Sequence, residues 1–310
     1  MSTLRKTLLY FIWLMVPALS FAQDDLMDIL DDMEGETTNY AFATFKTVRV
    51  VNAHSIELPA AGVLQLIISH RFGRINDGAY QFFGLDQANM RLGFEYGISR
   101  WLNVGVGRSN VNKTYDSFMK VKFFRQSSGK RVMPVSIVGV SGIQANTLNW
   151  ADPDRTNYFS SRLSFSHQLL IARKFNEALS LQIMPTMIHR NLVATRAEDN
   201  DVFSIGAGGR VKITPSMSVN FEYFYILDLP GYSYTANNYQ NSLSLSFDIE
   251  TGGHVFQLMF TNSRGMTENL FVAETTGEWA NGDIYFGFNL ARVFTVSDKH
   301  KKQEKSKEDW

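Results

Sequence analysis

The sequence predicts an all-β fold: one antiparallel transmembrane β-barrel of about 12 strands, with an N-terminal signal peptide that is cleaved. Three observations predict it. Apolar and polar residues alternate with period two across residues 63–294. The connections between these runs alternate between tight and long. Aromatic residues gather near the ends of the runs.

Residues 1–22 read as a signal peptide. Arg5 and Lys6 give a positive start, 8–19 is mostly apolar, and Ser20 and Ala22 place small residues at the −3 and −1 positions before Gln23. Elsewhere no stretch approaches the run of about 18 apolar residues that a membrane helix needs.

Composition narrows the classes. Setting aside Arg5 and Lys6, the 30 basic residues become 28 against 30 acidic, which argues against a nucleic-acid partner. With no cysteine, neither a disulfide scaffold nor thiol chemistry is available. Aromatics make up 13% of a chain whose mean hydropathy is only −0.14, as expected of a wall with one apolar and one polar face.

Residues 23–62 form a leader. Within 24–36, Leu26, Ile29, Leu30 and Met33 recur at helical spacing among acidic residues; 41–51 looks extended, able to pair or to plug; 52–62 reads as a loop. The barrel then occupies 63–294. Its first strand alternates Leu64, Leu66, Ile68 and Phe72 with Gln65, Ser69 and Arg71; the second opposes Met90, Leu92, Phe94 and Tyr96 to Arg91 and Glu95. Leu102, Val104 and Val106 mark the third. Tyr115, Met119, Val121 and Phe123 mark the fourth, with Asp116, Lys120 and Lys122 on its other side. The fifth run, 132–142, has no polar face, so an apolar plug or a partner barrel is expected against it. In the sixth, Phe159, Leu163, Phe165 and Leu169 oppose Arg162, Ser164, Ser166 and Gln168; the seventh opposes Leu179, Leu181 and Ile183 to Ser180 and Gln182. Phe203, Ile205 and Val211 oppose Arg210 and Lys212 in the eighth; Val219, Phe221, Tyr223 and Tyr225 oppose Glu222 in the ninth; Leu243, Leu245 and Phe247 oppose Asp248 in the tenth. Runs around Phe256–Phe260 and Ile284–Phe294 complete the set, and a charged tail, 295–310, follows.

The links at 73–86, 143–157, 190–201, 228–240 and 262–281 are long and that at 110–114 is moderate, whereas those at 97–100, 126–131, 173–177, 214–216 and 250–253 are short. Short periplasmic turns and long external loops have this order, which places the chain in the outer membrane with both termini periplasmic. Tyr96, Trp101, Phe175 and Phe294 fall at the turn side; Phe72, Tyr115, Phe159, Phe203 and Tyr225 fall at the loop side, as two interfacial girdles would.

The stretches SHRFG (69–73), GAYQFFGLDQANMRLGFEYGI (78–98), NKTYDSF (112–118) and KFFRQ (122–126) resemble a family of Bacteroidota-type outer-membrane β-barrels known as a domain of unknown function, over about residues 45–294. The resemblance implies fold and location. It implies no catalytic or ligand residue. The last strand, DIYFGFNLARVF, resembles the terminal signal read by the barrel assembly machinery, although the tail follows it.

On the polar face Arg71, Arg91, Lys120, Lys122, Arg162, Arg210 and Lys212 stand against Glu95, Asp116, Glu222 and Asp248. Such a set serves either as a mildly anion-preferring pore lining or as an ion-pair network that fills the interior. The leader 24–36 is expected to dock against that positive surface. No enzyme is expected: His167 directly follows Ser166, so the two face opposite ways, and no His-x-Ser occurs. The glycines at 206, 208 and 209 lie mid-strand, where close packing accounts for them. No metal or other cofactor is expected. The leading functional reading is a narrow pore or uptake barrel for small solutes, surrounded by outer-membrane lipid; the alternative is a closed barrel that anchors envelope partners through its loops or termini.

Overall fold

The computed structural model describes residues 37–230 and 239–297. Twelve antiparallel strands close into a barrel: β2 (Val63–Arg74), β3 (Ala88–Gly97), β4 (Leu102–Ser109), β5 (Tyr115–Phe124), β7 (Ser136–Ala145), β8 (Leu163–Lys174), β9 (Leu179–Arg190), β10 (Asp201–Lys212), β11 (Met217–Ile226), β12 (Ser242–Thr251), β13 (His254–Thr261) and β14 (Tyr285–Thr295). Each pairs with its neighbour in sequence, and β14 closes on β2 with Phe288 opposite His70 and Phe294 opposite Leu64. Closure leaves no edge, so the backbone hydrogen bonds of the wall are satisfied within it.

The alternation that marks the strands also orients them, and it does so inside out. Along β3, Asn89, Arg91 and Glu95 are buried, whereas Met90, Leu92 and Phe94 are exposed. Along β12, Ser242, Ser244, Ser246 and Asp248 point in, and Leu245 and Phe247 point out. A water-soluble sheet would reverse this pattern; a wall bathed in hydrocarbon requires it. No helix among the described residues is long and apolar enough to cross a membrane.

The tight connections at 98–101, 175–178, 213–216 and 252–253 fall at one end of the barrel, here the turn end, whereas the five-residue link between β4 and β5, 110–114, lies at the other. The tightest joins β12 to β13 through Gly252 and Gly253, both at positive φ, the backbone that a two-residue hairpin turn needs. The longer connections, including 146–162 and 262–284, fall at the opposite, loop end. Trp101, Phe175 and Phe294 are exposed toward the turn end, and Tyr115, Phe159 and Tyr225 toward the loop end.

The fifth run differs from the reading of its sequence. β7 begins at Ser136 rather than at 132. Residues 37–41 and 126–134 instead form a small separate unit, in which β1 (Thr38–Tyr40) pairs with β6 (Ser127–Gly129). β8 likewise begins at Leu163, because Phe159–Arg162 is a turn of 3-10 helix. Val132, Met133 and Pro134 extend the apolar run that marks β7, and Phe159 continues the parity of Leu163 and Phe165, so loop residues lengthened both readings.

Candidate functional site

The barrel interior is occupied. Residues 42–62 run into the lumen from the turn end and fold back as a hairpin, with Val50 N–H donating to Ala53 O and Ser55 N–H to Val48 O, both at 2.9 Å. Val50, Val51, Ala53, His54 and Ser55 have no exposed surface. This stretch does plug, and residues 52–62, expected to be a loop, form its returning arm.

A second insert descends from the loop end. The connection between β13 and β14 carries a short helix, α1 (Glu268–Ala273), with Leu270, Phe271, Val272 and Ala273 buried. The Phe271 ring meets that of Phe224 at 5.5 Å. The inserts join in mid-lumen, where Arg49 donates to Glu268 at 2.9 Å and His54 Nε2 lies 3.1 Å from the same carboxylate.

Inward side chains of the wall grip the hairpin. The Glu222 carboxylate accepts the backbone N–H groups of Val51, Asn52 and Ala53 at 3.1, 3.1 and 2.8 Å. The hairpin tip is thus a nest for an anion, and the wall supplies the anion. Gln257 donates to Val50 O at 2.7 Å, Asn289 to Val51 O at 3.0 Å, and Gln182 to His54 O at 2.7 Å. Arg71 reaches Asn52 Oδ1 at 2.8 Å, and Lys120 reaches Val48 O at 3.1 Å. At the mouth Arg210 donates to Ala43 O at 2.7 Å, and Lys46 pairs with Glu250.

Apolar side chains complete the fit. Val138 and Val140 of β7 belong to one buried cluster with Phe45, Val50, Val51, Ala53 and Ile56 of the hairpin. That is why β7 lacks a polar face: its inner side meets apolar hairpin residues. Close packing also explains the mid-strand glycines. A Cβ at Gly206 would lie 2.5 Å from the Phe224 ring, and one at Gly208 would lie 3.1 Å from Val50 Cγ1.

Of the eleven charged residues marked in the sequence, Arg71, Arg91, Glu95, Asp116, Lys120, Arg210, Glu222 and Asp248 are buried inside the barrel. They meet partners rather than open space: Arg91 binds Asp116, Lys120 binds Glu95 at 2.9 Å, and Asp248 accepts from Gln257 at 2.8 Å. Lys122 and Lys212 are half-buried toward the turn end. Arg162 is not on the inner wall. It sits in the 3-10 turn before β8, bonded to Asn146 O and Leu148 O and lying over the Trp150 ring. The acidic stretch 24–36, expected to dock in the lumen, lies outside the described residues.

Sequence reasoning did not single out Arg49, Glu268 or Arg190 as interior charges. Arg190 carries a legible signal: it continues the parity of Ser180, Gln182 and Thr186, although the sequence alone reads as a loop from 190 onward. It is buried beside Glu198 and Glu274. Arg49 and Glu268 had none, since their surroundings are created by the two inserts.

The outer wall holds one polar contact of chemical interest. Ser141 Oγ lies 3.1 Å from His167 Nδ1, cross-strand neighbours on β7 and β8, in an apolar groove of about 660 Å³. β7 is paired on both sides, so its backbone N–H groups are committed to the ladder and none is offered to a developing oxyanion.

Residues 45–294 match the model of a family described as "Membrane bound beta barrel domain (DUF5777)". The match begins within the hairpin and so takes in most of the plug with the wall. No curated protein matches the sequence. Among solved structures, the NanC porin aligns at 8% identity and a TM-score of 0.46, covering 75% of this chain and 98% of that one. The KdgM porin aligns at 8% identity and 0.43, covering 75% and 99%. An outer membrane channel from Pseudomonas putida F1 aligns at 11% identity and 0.46, covering 77% and 97%. At these values the likenesses carry no argument about cargo or mechanism.

Proposed function

The chain belongs to this family of membrane-bound β-barrel domains, and from that premise we propose that it is a gated outer-membrane barrel for small polar solutes, held closed at rest by its own hairpin, residues 42–62. In this reading residues 1–22 direct export, the turn end is periplasmic, and the N-terminal leader emerges on the periplasmic side.

One observation carries the proposal: the bonds between wall and hairpin are polar and separable. Glu222, Gln257, Asn289, Arg71 and Lys120 all bind backbone or short side-chain groups of the hairpin. If the hairpin leaves, the same groups line a hydrated passage that water can satisfy. A barrel filled only for rigidity is served better by apolar packing, because buried polar networks add little stability over hydrophobic ones. Cavities of about 390 Å³ at the turn end and 270 Å³ at the loop end flank the closed section.

The second reading is a permanently closed anchoring barrel. The extent of the buried contact between hairpin and wall favours it. Swelling of vesicles containing the purified protein separates the two. Removal of residues 43–60 should admit glucose-sized solutes at a rate well above that of the full chain. Equal impermeability of both proteins, each confirmed as a folded barrel, would sink the gated reading.

A further inference from the structure

At the loop end, wall and inserted loop enclose a polar cavity of about 270 Å³. Its walls come from the inner positions Ser164 and Arg190, from Asn269 and Glu274 on and beside α1, and from the loops that carry Asn112, Asn149 and Trp150.

Two features define what the cavity takes. First, its charges are already met. Arg190 has Glu198 at 3.5 Å and Glu274 at 3.7 Å, and the Arg162 guanidinium is held by two loop carbonyls and the Trp150 ring. An ionic ligand would therefore gain little net attraction. Second, the remaining polar groups are neutral, chiefly amides with the hydroxyls of Thr114, Ser161 and Ser164 beside them. Asn269 Oδ1 accepts from Thr267 at 2.8 Å, which leaves its NH₂ group available, and Asn112 and Asn149 present further donors and acceptors. Amides bind hydroxyl groups in both senses.

We propose that this loop-end cavity binds an uncharged, polyhydroxylated molecule of about monosaccharide size. The inference deepens the uptake reading and rests on it for its biological role. It also places ligand next to the latch, because Asn269 adjoins Glu268, the residue that Arg49 grips from the hairpin.

The test is isothermal titration of the full chain in a detergent without a sugar headgroup. D-glucose, D-galactose and myo-inositol serve as neutral probes, with D-gluconate and D-glucosamine as charged counterparts. At least one neutral probe should bind saturably in the millimolar range, and both charged probes at least about tenfold more weakly. Asn149→Leu and Asn269→Leu should each weaken binding by about tenfold while the barrel stays folded. The proposal is overturned if no neutral probe saturates, if a charged probe binds as tightly, or if both variants bind as the parent does. Binding without permeation through the barrel lacking residues 43–60 would keep this site and remove the uptake reading; permeation through that barrel without binding to the full chain would do the reverse.

Discussion

Replacing Glu222 with alanine removes the anion from the nest at the hairpin tip. Three backbone N–H groups, of Val51, Asn52 and Ala53, then lose an acceptor at 2.8 to 3.1 Å. A hydrogen bond to a charged group contributes about 1.5–3 kcal/mol, and water admitted to the vacated space restores part of that. A net loss of about 3 kcal/mol to the closed state corresponds to roughly 150-fold in the closed–open equilibrium. Glu222→Gln keeps one acceptor oxygen, so its effect is set at about tenfold. The assay is single-channel recording in planar bilayers, with open probability as the readout and heat-modifiable migration as the check on folding. Openings should rise in the order wild type, Glu222→Gln, Glu222→Ala. If the alanine variant folds and its open probability equals that of the wild type, the hairpin is not held by this carboxylate, and the latch reasoning fails.

The link between the two inserts should behave as a coupled pair: Glu268→Ala leaves the buried Arg49 without its carboxylate, at about 3–5 kcal/mol, Arg49→Ala costs less because His54 stays beside Glu268, and the double variant should lose less than the sum in urea unfolding of the lipid-reconstituted barrel. Phe247, exposed midway along β12, should cost about 2–4 kcal/mol when changed to arginine if that wall faces hydrocarbon, measured by folding into vesicles; a change near zero would mean that it faces water. Burial, together with the neighbouring Glu198 charge, raises the carboxyl of Glu274 in the loop-end insert above its ordinary value, against the opposing pull of Arg190. A carboxyl that binds its proton more tightly when folded loses stability as pH rises from the ordinary glutamate range through the raised value. Hydrogen exchange of the insert, corrected for intrinsic rates, should therefore show more protection at the acidic side of that window, and Glu274→Gln should abolish the difference.

The wall was legible because a strand's side-chain period is two and the membrane imposes opposite chemistry on its faces. Met90, Leu92 and Phe94 against Arg91 and Glu95 need no third dimension to be read. The hairpin was only half legible. Its residues are surrounded on every side, so 48–56 carries no single polar face, and its partners Gln182, Glu222, Gln257 and Asn289 lie 126 to 238 positions along the chain. Only the apolar inner side of β7 hinted at it from the wall. Arg162 was misplaced because Phe159 continues the parity of Leu163 and Phe165 through a 3-10 turn, where parity has no meaning. Ser141 and His167 meet across strands, a pairing fixed by register and invisible to a search along one strand.

Gating by the hairpin is tested most directly by fastening it. The chain has no cysteine, so Val50→Cys with Gly208→Cys introduces a single pair at a site where a Cβ on residue 208 comes 3.1 Å from the Val50 side chain. In one bilayer, on one protein, conductance is recorded under oxidising conditions and again after dithiothreitol. If the hairpin is the gate, the bond forms, the oxidised barrel stays silent, and reduction brings openings. Identical conductance before and after reduction, with the bond verified by mass, would contradict it.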